Sequence, residues 1–212
     1  MINNITLKKI DLILTLFIGE ICAWLIILIG KNLSGENPAI LILLPYFKYF
    51  PIVFPVLCLM GLLIAYFLGK TVPTVYQVAK FILVGGLNFL IDMGVLNFLI
   101  FATGISTGII QSGFKAVSFL LAMLNSYLGN KYWTFKRTTQ ESVFYEFLQF
   151  LIVSVIGFAF NLTIDYVFVN TVGPLGGMAL KTWAQFSAFM AAALAMVWNF
   201  IGYKFIVFNT KK

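Results

Sequence analysis

NSYLGNKYWTF, residues 125–135, closes a long apolar run with asparagines, a glycine, a lysine and an aromatic cluster. A looser copy, WNFIGYKFIVF, occupies residues 198–208. Set 73 residues apart, Gly129 matches Gly202, Lys131 matches Lys204, Tyr132 matches Phe205 and Phe135 matches Phe208. Without a gap the same offset places Leu121, Ala122 and Met123 on Leu194, Ala195 and Met196. Further upstream it places Asn88 on Asn161, Asp92 on Asp165 and Asn97 on Asn170. One offset held over so long a stretch predicts a duplicated unit.

The composition says where such a unit resides. Of 212 residues, 61% are hydrophobic and 10% charged, whereas soluble domains carry roughly 25% charge. Several apolar runs reach the roughly 20 residues that cross a bilayer as a helix. An all-α, polytopic membrane protein is expected. The short alternating segments of a transmembrane barrel are absent. A net charge of +7 fits lysines at helix ends facing anionic lipid better than a nucleic-acid partner. Cys22 and Cys58 both lie in apolar runs and the chain has no histidine. No disulfide framework, redox motif or metal motif can be assembled, and no cofactor is expected. Lys8 and Lys9 precede an apolar run with no small-x-small cleavage site after it, so a retained helix is expected rather than a signal peptide.

Six spans are predicted, over 10–30, 51–69, 77–101, 115–135, 147–171 and 182–208, the first ended by Gly30 and by Ser34-Gly35. Residues 40–54, interrupted by Pro45 and Pro51 and holding Lys48, read as a hairpin or interfacial segment. Residues 136–146 form the strongly polar linker of the duplicated part. The chain thus divides into an N-terminal extension of two helices, 1–75, and a four-helix part, 76–209, with repeats 76–137 and 149–209. Lys8, Lys9, Lys70, Lys80, Lys131, Lys136, Arg137, Lys204, Lys211 and Lys212 fall on one side, and Lys31, Lys48, Lys115 and Lys181 on the other. That bias puts both termini in the cytoplasm of a multi-pass protein of the cell membrane. Two helices per repeat keep both copies in one orientation, about an axis along the membrane normal.

Within the spans, polar residues are few. Asn88 with Asp92, and Asn161 with Asp165, are four apart and share a helix face. An ionisable group at mid-membrane costs a few kcal/mol even on lenient scales, so it needs a partner or a wet cavity. Duplication would set both acids at one depth, either as a polar midplane site, proton-linked in one version, or as protonated acids hydrogen-bonded to asparagines. Glu20, in the first span, has no repeat mate and either lines the same cavity or pairs locally. Lys131 and Lys204 mark the cytoplasmic ends of the fourth and sixth spans, with Lys80 near the start of the third. An ammonium there suits a lipid phosphate, and Tyr127, Tyr132 and Trp133 suit a prenyl chain or sugar face. A plain aromatic belt with snorkelling lysines accounts for the same residues. Small residues at Ser118, Ala122 and Ser126, and along 184–202, read as close helix packing. No catalytic set is present, and an enzyme is not expected.

FILVGGLNFLID (81–92) and LNSYLGNKYWTFKR (124–137) resemble the GtrA-like family, also called the GtrA/DPMS transmembrane domain. Its small four-helix members open with a motif like F-x-x-V-G-x-x-N-x-x-x-D and close the second helix with an N-[KR]-x-W-T-F-type motif. The pattern falls here on Phe81, Val84, Gly85, Asn88 and Asp92, then on Asn130, Lys131, Trp133, Thr134 and Phe135. The resemblance covers about 76–209; the residues before Tyr76 have no counterpart in the minimal unit. It implies a translocase, or flippase component, for a polyprenyl-phosphate-linked monosaccharide in cell-surface polysaccharide or teichoic-acid glycosylation. A separate membrane glycosyltransferase would be the partner. Asn88, Asp92, Asn161, Asp165, Asn130, Lys131, Lys204, Lys80, Trp133 and Glu20 are the residues expected to meet substrate. Two other classes fit the residues: a non-transporting anchor for a glycosyltransferase, and a small proton-coupled exporter of cationic compounds. Thin walls make a homo-oligomer the expected assembly, in contact with membrane lipid.

Overall fold

The computed structural model describes residues 5–33, 38–137 and 142–209, and among these it is helical with no strand. Ser34, Gly35, Lys211, Lys212 and residues 138–141 of the polar linker lie outside the described residues, as does the side chain of Lys181. The helices are α1 (Lys9–Leu33), α2 (Pro38–Leu43), α3 (Phe50–Gly69), α4 (Pro73–Thr103), α5 (Gly108–Gly129), α6 (Val143–Tyr166) and α7 (Leu180–Gly202). A 3₁₀ segment, Leu44–Tyr49, joins α2 to α3, and π-helical turns prolong α5 (Asn130–Thr134), α6 (Val167–Val172) and α7 (Tyr203–Val207). Six stretches are long and apolar enough to cross a membrane. Helices satisfy every backbone polar group within themselves, which is why an apolar chain of this kind is helical in lipid.

Several boundaries differ from expectation: α1 runs past Gly30 to Leu33, and α6 begins at Val143, inside the linker expected over 136–146. Residues 40–54 form no hairpin but run through α2 and the 3₁₀ segment straight into α3. Pro45 and Pro51 each stand in the first turn of their helix, where a missing N–H costs nothing. The fifth helix begins at Gly108, not at 115, so Lys115 is an interior residue about two turns along rather than an end marker. Gly104, at φ 70°, ends α4 in the left-handed conformation, which glycine adopts without a steric cost.

The chain forms two compact units, Met1–Lys136 and Arg137–Lys212. In the first, α1 packs on both α3 and α4, and α4 on α5. A Cβ on Gly19 would collide with the backbone of Pro55, and one on Gly94 with Leu25. In lipid, such close approach replaces the hydrophobic effect as the adhesive between helices. Ile18, Cys22, Val84, Leu87 and Trp133 form a buried cluster drawn from α1, α4 and the π turn after α5. The N-terminal helices therefore share one core with the first half of the four-helix region, and the packing boundary falls after Lys136. The second unit is the pair α6–α7 with its two π turns. Large apolar side chains such as Phe17, Phe101, Ile109 and Phe189 stand on the outside, the expected surface for a protein whose solvent is lipid.

Candidate functional site

The two helical pairs share one packing scheme. On α5, a Cβ at Gly129 would press on Val84 of α4; on α7, one at Gly202 would collide with Val153 of α6. Phe81 and Phe135 have ring centroids 6.5 Å apart, as do Phe150 and Phe208. The α5 and α7 members of these contacts are 73 residues apart, whereas the α4 and α6 members are 69 apart (153 − 84, 150 − 81). Packing thus slips α6 by one helical turn from the gapless offset. Asp92 lies eight residues beyond Val84 and Asp165 twelve beyond Val153. At about 1.5 Å per residue the acids stand roughly 12 and 18 Å from their own landmark. Measured from these landmarks, the packing mate of Asp92 is Asn161 rather than Asp165.

The acids also differ in partners. Both oxygens of Asp92 are engaged: Lys115 Nζ is 2.5 Å from Oδ2, and Ser118 Oγ donates to Oδ1 at 2.6 Å. Asp165 Oδ1 accepts from Ser187 Oγ at 2.6 Å, and its Oδ2 accepts nothing among the described residues. Asn161, half-buried, lies one turn before Asp165. Glu20 pairs locally, accepting from Trp24 Nε1 at 2.7 Å on an exposed face of α1.

Lys80 is placed otherwise than as a phosphate holder. Its ammonium is buried, 2.5 Å from Asp11 Oδ1 on α1. Trp133 Nε1 donates to the same oxygen at 2.9 Å, and Tyr76 OH and the Lys8 backbone N–H donate to Oδ2 at 3.0 and 3.1 Å. Lys80 also stands 4.5 Å from the Tyr76 ring centroid and 5.4 Å from that of Trp133, a cation–π arrangement. Through this one buried carboxylate, Lys80, Tyr76 and Trp133 tie α1 to α4 and to the π turn after α5. Asp11 is the residue the sequence reading missed. Its only local signal was an acid one turn from Thr15 at the start of the span.

Lys131 and Lys204 remain alike. Each opens the second position of a π turn, closed by Phe135 N–H to Asn130 C=O (2.9 Å) and by Phe208 N–H to Tyr203 C=O (2.7 Å). π turns widen a helix by one residue and recur at functional positions. Lys131 lies over Tyr127 and Tyr132 at 5.3 and 5.6 Å; Lys204 lies over Phe200 and Phe205 at 5.4 and 5.7 Å. Lys131 Nζ also donates to Tyr127 OH at 3.1 Å and is buried, while Lys204 is half-buried.

The pair α4–α5 and its π turn hold polar atoms whose hydrogen-bonding capacity is unfilled. Asn88 Oδ1, Asn125 Nδ2, Asn130 Oδ1 and Thr134 Oγ1 are buried without a partner. Asn130 and Thr134 are almost wholly buried. Buried polar groups are nearly always hydrogen-bonded, and exceptions point to water, an ion or a ligand. In the second unit the corresponding level holds a closed contact, Ser154 Oγ and Tyr203 OH at 2.6 Å. There the asparagine has changed helix: Asn199 Oδ1, also unpartnered, fills the space that a Cβ on Gly157 would need.

Among the described residues no group of acids, cysteines or histidines could hold a metal ion. Searches of curated proteins and of solved structures return no significant match. A family model described as GtrA/DPMS, transmembrane domain, matches residues 80–208, more than half of the chain, starting at Lys80 itself. On that match, which covers the last four of the six apolar spans, the chain belongs to the GtrA/DPMS transmembrane domain family.

Proposed function

We propose that the protein moves a polyprenyl-phosphate-linked monosaccharide across the cell membrane, without catalysing a covalent step. The carrying observation is the set of buried, unpartnered polar atoms at Asn88, Asn125, Asn130 and Thr134, on the helix pair whose π turn carries Lys131. Amide and hydroxyl groups match sugar hydroxyls, and a lysine framed by aromatic rings matches a lipid phosphate with its prenyl chain alongside. Lys204 offers the second unit a like phosphate contact, more open than Lys131. Lys80 and Trp133 support the site by holding α1 and α4 in place, and both termini are cytoplasmic. A membrane glycosyltransferase supplies the lipid-linked sugar, and a second copy of the chain helps enclose the path. Cell-surface polysaccharide or teichoic acid is the destination of the sugar.

The purified full chain, reconstituted in liposomes with a fluorescent polyprenyl-phosphate hexose, tests the proposal. Wild type is expected to equilibrate the lipid between leaflets at least tenfold faster than empty liposomes. Lys131→Gln and Asn130→Leu are expected to slow it by about tenfold each, the scale of one lost charge-assisted contact. Equal rates with and without protein would instead support an anchor that positions the glycosyltransferase, which co-purification with that enzyme would then show.

A further inference from the structure

Asp92 and Asp165 each accept a hydrogen bond from a fully buried serine at 2.6 Å, Ser118 in one pair and Ser187 in the other. In the first pair, the carboxylate–serine unit holds a primary ammonium supplied by the chain, that of Lys115, three residues before Ser118. Three residues before Ser187 stands Ala184, exposed. What remains is the acceptor half of the same arrangement. It opens on a groove of about 530 Å³ lined by Leu162, Thr163, Asp165, Tyr166, Val169 and Asn170. Thr163 and Asn170 add polar side chains to its wall. Tyr166, largely exposed, offers a ring face to a cation.

We infer that the Asp165–Ser187 groove binds a primary ammonium group of a ligand, taking in the second unit what Lys115 supplies to Asp92 in the first. A carboxylate in an apolar setting calls for a counter-charge, and a compact ammonium fits one open carboxylate oxygen beside a buried serine, as Lys115 does at Asp92. The inference does not depend on transport of a phosphate-linked sugar. The amine is carried either by a lipid headgroup or by an amino sugar, and the groove chemistry is the same for both.

The test is equilibrium binding of radiolabelled hexylammonium to the full chain in nanodiscs of phosphatidylcholine and phosphatidylglycerol. One saturable equivalent is expected, displaced by unlabelled hexylammonium and not by hexanol. Asp165→Asn is expected to weaken binding by tenfold or more, and Ser187→Ala by a few-fold. Lys115→Ala should expose Asp92 and Ser118 and add a second equivalent, a gain that damage to the fold cannot imitate. Adding phosphatidylethanolamine to the discs displaces the label if the source is a headgroup; an alkyl glucosaminide alone displaces it if the source is a sugar amine. Binding unchanged by Asp165→Asn, or hexanol competing as well as the amine, would overturn the inference.

Discussion

The pairs α4–α5 and α6–α7 are packed alike and differ in how their charges are balanced. Both carry a valine against a glycine, a phenylalanine pair 6.5 Å apart and a π turn whose lysine lies between two aromatic rings. In their charges they diverge. The first pair is tied to α1 through a buried ion pair and balances its acid with Lys115. The second has a glutamine, Gln149, at the packing position of Lys80, an isoleucine, Ile206, at that of Trp133, and an acid one turn further along. The shared part is helix packing plus one cation; the divergent part is charge compensation. Packing in lipid rests on small residues at fixed spacing and tolerates few changes, whereas a charge can be balanced from any neighbouring element. The divergence therefore collects where balancing partners are free to vary.

The largest effect should come from the feature only the first pair has. Asp11→Ala leaves the Lys80 ammonium buried without its carboxylate, and breaking such a pair costs about 3–5 kcal/mol. Thermal unfolding in detergent should show a large loss, with protease cutting favoured between α1 and α4. Asp11→Leu combined with Lys80→Met should recover most of it, because no charge is then left unpaired. An Asp11→Ala variant as stable as wild type would mean that the carboxylate does not hold α1.

Next come the features both pairs share. Gly202→Ala pushes a methyl into Val153 and Gly129→Ala presses less closely on Val84. Overpacking costs about 1–3 kcal/mol, so both should lower the unfolding midpoint, with Gly202→Ala the more damaging. The reverse order would show that the pairs relax differently despite like geometry. The smallest effect is at Lys115, whose side chain is 45% exposed. Its removal should cost at most about 1 kcal/mol while changing the ligand stoichiometry described above. A loss as large as that of Asp11→Ala would make Lys115 a structural element and erase the contrast between the acids.

How far the sequence carried can be judged residue by residue. The π-turn lysines were legible because their aromatic neighbours at four residues before and one after are written locally, in the order in which a helix displays them. The slip of α6 was not legible. A gapless alignment fits the turn ends and drifts by one turn in the preceding helix, because a four-residue shift preserves which face a residue occupies. Asn88 and Asp92 were correctly placed on one face, but the face does not say which partner it meets.

Sequence by itself determined the six helices, since an apolar chain in lipid has no other way to satisfy its backbone. It determined too the family motifs, and the lysines and acids that such a membrane would make expensive. Tertiary structure alone decided how those charges are matched. Asp11 reaches Lys80 across 69 residues and Trp133 across 122, while Asp165 is left with a serine and an open groove. Electrostatic partnership depends on a few ångströms between elements, and helical periodicity fixes direction around an axis without fixing which axis lies beside it.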